Sequence, residues 1–359
     1  MQHEPLEERR LLAVDLSLGG SPLAEDGGVA TFTATTDLLA SHGGIHVDLD
    51  FSGSAELGVD YLLKAQQLGT DIDGLAAGDE AGVSVDVNSD GTIIAVGAHR
   101  SDTAGANSGE VRVFEFDGAD WNLRGSAIGG EAAGDRSGIS VSLSDDGNRV
   151  AIGASWNDGT GNAAGHTRVY EWNSGGSTWS QLGSDIDGEG ISDLSGEPVA
   201  LSGDGNRLII GAIGNDGTGA DAGHARIYEW NSGGSTWDQL GSDIDGTAAG
   251  DLAGFSIAID TDGSTIAIGS KLNDSGGSDA GQTRIFDWNS GTSAWVQRGS
   301  DIYGEAVNDK SAASLSLSGN GNRIAIGAHL NDDNGNASGH ARVYEWNSGG
   351  STWDQFGSD

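Results

Sequence analysis

Two sets of aspartates recur in register along this chain, and their type and spacing could do chemistry. Asp102, Asp158, Asp216, Asp274 and Asp332 form one set, each three residues before a glycine; Asp79, Asp135, Asp193, Asp251 and Asp309 form the other. Crowded carboxylates repel unless a cation or hydrogen-bond donors sit among them. Two explanations follow. Each Asp could accept hydrogen bonds from its own loop, a turn duty repeated because the loop is repeated. Alternatively the sets could hold divalent cations, calcium foremost, with Asn157, Asn215, Asn273, Asn331 and loop carbonyls completing an oxygen shell.

A second repeated group is aromatic. Trp172 and Trp179, Trp230 and Trp237, Trp288 and Trp295, and Trp346 and Trp353 flank short turns, with Phe116 and Trp121 in the same place in the first copy. Cross-strand packing at a hairpin is the ordinary use of such a pair. Stacking against a sugar ring is the sharper one, given the amphipathic character of Trp. His166, His224 and His340 share one repeat position, but Glu110 and Gln282 fill it in the other copies. That exchange predicts hydrogen-bonding residues at a loop edge and argues against ligands or a catalytic base.

The elements that must position these groups repeat with a period of about sixty residues. The run Tyr170 to Trp179 returns as Tyr228 to Trp237 and Tyr344 to Trp353, and closing glycines fall at Gly69, Gly125, Gly183, Gly241, Gly299 and Gly357. The copies run at about 69–124, 125–182, 183–240, 241–298 and 299–356. Such units are too small to bury an apolar face alone and must stack. In the second copy, Ile139 to Leu143 alternates large apolar residues with Ser, and Asp146-Gly147 supplies a tight turn. Val150 to Ala154 is a second strand, Thr167 to Trp172 a third and Trp179 to Ile186 a fourth. Ser, Ala and Gly replace the charged residues that an open sheet shows to water, which suits sheets stacked around an axis. The pattern predicts an all-β chain: a β-propeller of about five four-stranded blades over 65–359, or six or seven in a complete protein. In an antiparallel meander both aspartate-bearing loops leave from the same edge, so the ten carboxylates should ring one face.

Composition narrows the function. The chain has 359 residues, no Cys, 62 Gly and a formal charge of −37. That charge excludes nucleic acid as a natural partner and argues against anionic lipid. The longest apolar run near the start, Leu11 to Val14, is far too short for a conventional signal peptide or a membrane span. No Ser-His-Asp order, phosphate loop or zinc spacing stands out. A catalytic site needs different residues in different roles, whereas nearly every carboxylate here recurs, so the sequence predicts a protein that is not an enzyme.

Three resemblances add to this. Gly138 to Ser142, Val150 to Ala154 and Gly165 to Tyr170 make the repeats resemble the FG-GAP family, the blades of integrin α-chain propellers and of many bacterial surface proteins. That implies a calcium-assisted adhesion or protein-interaction role, although the short turn Ser144 to Asn148 lacks the family's spaced calcium loop. Residues 11–64 resemble the first half of a Calx-beta domain, a calcium-binding β-sandwich, through Ser21 to Thr31 and Phe51 to Tyr61. Carboxylates matching Glu25 and Asp60 contribute calcium ligands in that family; its second half has no counterpart here. Within residues 1–10, and running on to Leu12, Leu6 to Leu12 resembles a leader of planctomycete surface and exported proteins. The expected protein is therefore an extracellular or cell-surface propeller that binds a protein partner, with a glycan-binding lectin or a structural envelope or matrix component as alternatives.

Overall fold

The computed structural model describes residues 67–357, so the leader-like segment, the Calx-beta-like segment, Glu25 and Asp60 lie outside the described residues. The described residues form five antiparallel sheets and no helix.

The second sheet shows how the sequence builds each unit. Its strands are Ser140–Leu143, Arg149–Ala154, His166–Asn173 and Thr178–Gln181, paired in sequence order. Strand 149–154 is β-branched and alternating: Val150 and Ile152 project to one face, Ala151 and Gly153 to the other. The preceding turn is fixed locally. The Asp146 carboxylate accepts from the Asn148 amide at 2.9 Å and from the Ser144 hydroxyl at 2.7 Å, and Gly147 takes the left-handed backbone the turn requires, at φ +64°. The fourth strand is broken. Thr178–Gln181 pairs with the end of the third strand, and a short piece, Ile186–Asp187, pairs with its beginning. The first, third and fourth sheets repeat this division, and the fifth has four strands.

Sheets stack in chain order. Val141, Leu143, Val150 and Ile152 of the second sheet bury themselves against Ile93, Ala95, Val111 and Val113 of the first. The third sheet covers the second, the fourth covers the third and the fifth covers the fourth with equivalent residues. The approach is close enough that a Cβ on Gly153 would collide with the carbonyl oxygen of Gly196 in the next sheet. Small residues on one face are thus a steric requirement of stacking. No sheet stacks on the bulky face of the first unit, where Val85 and Val87 remain 66% and 54% exposed.

The tryptophans clasp neighbouring sheets. Trp172 and Trp179 pair across the hairpin with ring centroids 5.3 Å apart, and the other three Trp pairs lie within 0.1 Å of that value, at 5.3 or 5.4 Å. The Trp179 indole N–H donates to the Arg124 carbonyl of the preceding unit at 2.8 Å. Trp237, Trp295 and Trp353 repeat this bond on Leu182, Leu240 and Arg298. The Arg124 guanidinium lies over the Trp172 ring at 4.7 Å. One edge of each of these indoles is therefore spent within the protein.

Candidate functional site

The loop after the second strand and the loop before the first strand meet on one face, because they join the same edge of the meander. Asn157 in one loop donates to Asp135 in the other at 3.2 Å, and Asn215–Asp193, Asn273–Asp251 and Asn331–Asp309 repeat the contact. The second aspartate set is buried there. Asp135 accepts from the Ala132 amide at 2.9 Å, and Asp79, Asp193, Asp251 and Asp309 accept equivalently from Ala76, Gly190, Ala248 and Ala306. The first set binds its own loop. Asp102, Asp158, Asp216, Asp274 and Asp332 accept from the amides of Asn107, Ala163, Asp221, Asp279 and Ala337, at 2.6 to 2.9 Å. Each of those five donors has a positive φ between 51° and 53°. The carboxylate thus holds a left-handed residue in place, a local-turn duty.

A residue type that sequence reasoning missed joins the units beneath this face. Arg112, Arg168, Arg226, Arg284 and Arg342 sit two residues into the third strands. Each donates to a carbonyl of the preceding unit: Asp73, Gly129, Asp187, Asp245 and Tyr303, at 2.6 to 2.9 Å. Recurrence of Arg two places after the His, Glu or Gln position in all five copies was the available signal.

Side chains in these clefts then differ from unit to unit. His166 and His224 open their third strands in the interior, each only 1% exposed, which corrects the expectation of a loop-edge role. Burial strips water from both rings and pushes their pKa values below the ordinary range, so they are neutral near pH 7. Around His224 Nδ1 stand Glu189 at 4.0 Å, Asp243 at 3.9 Å and Asp245 at 4.0 Å. Around His166 Nδ1 stand Glu131 and Asp185, both at 3.9 Å.

The first cleft breaks the pattern. It encloses a surface cavity of about 430 Å³ walled by Asp79, Arg100, Ser101, Asp102, Thr103 and Asn107, among others. The Ser101 and Thr103 hydroxyls are 2.7 Å apart, and Thr103 donates to Glu110 at 2.7 Å. Glu110 is 1% exposed, and its other oxygen lies 3.7 Å from Arg112 Nε. Arg100 pairs with Glu80 at 2.7 Å near the rim. In the other four copies the place of Thr103 is taken by Gly159, Gly217, Ser275 and Asp333, and that of Ser101 by Asn. The hydroxyl–carboxylate chain belongs to one unit.

No family model and no curated protein matches the chain, so the FG-GAP and Calx-beta resemblances gain no support of that kind. Solved structures do resemble it. A putative 6-phosphogluconolactonase from Bacteroides fragilis superimposes with a TM-score of 0.50 at 13% identity, over 77% of this chain and 70% of that one. The periplasmic gluconolactonase of Pseudomonas aeruginosa gives 0.49 at 14% identity, over 76% and 70%. A structure titled the Dos1 propeller gives 0.43 at 11%, over 76% and 58%. These findings correct the expectation of a non-enzymatic adhesion, lectin or matrix protein: the first similar structures carry the titles of lactonases, which are enzymes. At such low identity the shared property is the fold. Sequentially stacked antiparallel sheets, together with the likeness to the Bacteroides structure, make this chain a β-propeller.

Proposed function

We propose that this propeller is a hydrolase of small, uncharged sugar-type lactones, acting in the first cleft. The observation that carries the reading is the chain Ser101–Thr103–Glu110 at the wall of a cavity, present in one unit of five. Catalysis needs residues in distinct roles, and here the repeat departs from its own pattern to supply them. A cavity of this size suits a small ligand. The lactonase title of the Bacteroides propeller supports the reaction class.

In this reading a water held by the Ser101 hydroxyl attacks the lactone carbonyl carbon while Thr103 relays its proton to Glu110. The new C–O bond makes a tetrahedral oxyanion facing the Arg100 guanidinium. Collapse breaks the ring C–O bond, and the leaving alkoxide takes the proton back from Glu110 through Thr103. The product is the open hydroxy acid. Net charge selects among lactones. With −37 on the chain and Asp79 and Asp102 at the cavity, a phosphorylated substrate is repelled, so the neutral ring is preferred.

The test follows acid release from glucono-δ-lactone and 6-phosphoglucono-δ-lactone in weakly buffered indicator solution. Hydrolysis above the buffer rate with the neutral lactone, lost in Thr103→Val and Glu110→Gln, supports the reading. Rates equal to buffer for both compounds, or full activity in both variants, overturn it.

A further inference from the structure

Three other clefts carry a cluster that the lactonase reading does not use: Glu189, His224 and Asp243, with Glu131, His166 and Asp185, and Glu305, His340 and Asp333, in equivalent places. Within each, one ligand atom per residue lies within 4.8 Å of the others. Carboxylates gathered on an acidic protein are common and prove little alone. The imidazole is the distinguishing feature. His224 is 1% exposed, and neither ring nitrogen has a hydrogen-bond partner; the same holds for both nitrogens of His340. Leaving a buried polar atom unpaired costs about 1–3 kcal/mol, so an otherwise unexplained pair of such atoms aimed at carboxylates points to a missing partner.

The unit without a histidine supplies a control. At its equivalent position Gln282 donates directly to Asp301 at 2.7 Å, and the place of Glu189 is taken by Thr247. Glutamate and histidine are thus present together in three clefts and absent together in the fourth. In the first cleft their places hold Leu75 and Glu110. The glutamate is also oriented: one Glu189 oxygen faces His224 at 4.0 Å while the other faces Arg226 at 3.7 Å, and Glu305 divides itself between His340 and Arg342 at 3.6 Å each. A positioned carboxylate beside a neutral imidazole is how metal ligands are commonly held.

We propose that Glu189–His224–Asp243 and its two counterparts each bind a borderline divalent cation of the zinc type. One nitrogen and two carboxylate oxygens suit zinc, with water completing the shell. Donors around tetrahedral zinc stand about 3.3 Å apart, given bonds of about 2.0–2.1 Å. Closing from 3.9–4.0 Å to that spacing needs only a small shift of the half-exposed Glu189 side chain. Each cation also relieves part of the chain's −37 charge.

The experiment strips the full-length protein with a chelator, re-equilibrates it with Zn²⁺, removes excess by gel filtration and counts metal by mass spectrometry. Retention of three ions per chain is expected, falling to two in His224→Gln and to none in the combined His166→Gln, His224→Gln, His340→Gln variant. Gln already occupies this position at Gln282, so the substitution keeps a side chain the fold accepts. Circular dichroism confirms folding, and the half-exposed Glu189→Gln, which should weaken one site at least about tenfold, gives a second route. Zinc absent from the wild-type protein, or retained equally by the triple variant on the loop aspartates, overturns the proposal. Lactone turnover does not enter the readout, so this site and the first-cleft activity can fail separately.

Discussion

The first and third clefts are built on one frame and carry different chemistry. In both, an arginine two residues into the third strand reaches back to the preceding unit: Arg112 to the Asp73 carbonyl at 2.6 Å and Arg226 to the Asp187 carbonyl at 2.7 Å. In both, an aspartate holds a left-handed residue five positions on. Above that frame, the first cleft places hydroxyls on a buried glutamate, whereas the third places carboxylates around a buried imidazole. Residues that fix the backbone stay constant because every unit needs the same inter-sheet joint. Side chains that point into the cleft are free to diverge.

The largest effect should come from the shared frame. Arg226→Met removes a buried charge and leaves the Asp187 carbonyl and Glu189 short of a partner, at a cost of roughly 3 kcal/mol. Urea denaturation should show a lower midpoint with an unchanged slope. Arg112→Met should match it; a loss less than half as large would mean that the two clefts do not share one joint.

A graft sharpens the comparison. Leu75→Glu with Glu110→His places the third cleft's pair in the first. Turnover of the neutral lactone should fall about 100-fold, or about 2.7 kcal/mol in barrier, while the zinc count rises by one. A graft that binds no additional zinc and keeps its turnover would show that the two chemistries do not reside in these side chains.

The smallest effect concerns the joint between the first two sheets. Asp86 accepts from the Leu143 amide at 2.6 Å, where the next unit uses the Ser142 hydroxyl to accept from Leu201 at 3.1 Å. Burial raises the Asp86 pKa above its ordinary 3.8, although the hydrogen bonds oppose that rise. An acid whose folded pKa is raised holds its proton longer in the folded state, so its stabilising contribution is complete below pH 3.8 and is lost as pH climbs through the folded value. Asp86→Ser should therefore raise the thermal midpoint at pH 7 by a small amount and have no such benefit at pH 3. A gain of equal size at both values would assign the effect to packing.

Strand positions were legible because alternation and turn chemistry act over a few residues. The run from Val150 to Ala154 announces one bulky and one small face, and Asp146-Gly147 announces the turn before it. The aspartate loops were legible in their simpler sense, as carboxylates closing their own turns. The histidines were not. Exchange with Glu and Gln suggested an exposed, permissive edge, yet the position is interior, and what varies is the partner set around it. Glu131 precedes His166 by 35 residues, on the far side of two strands, and no local signal links them.

Periodicity alone determined the unit, its strands, its turns and the need to stack, since each follows from short-range sterics and from an apolar face too small to bury itself. Tertiary structure decided which side chains of neighbouring units face one another. Stacking brings together residues dozens of positions apart, and only there do Arg226 find the Asp187 carbonyl, His224 its carboxylates, and Thr103 of one unit a cavity that the others lack.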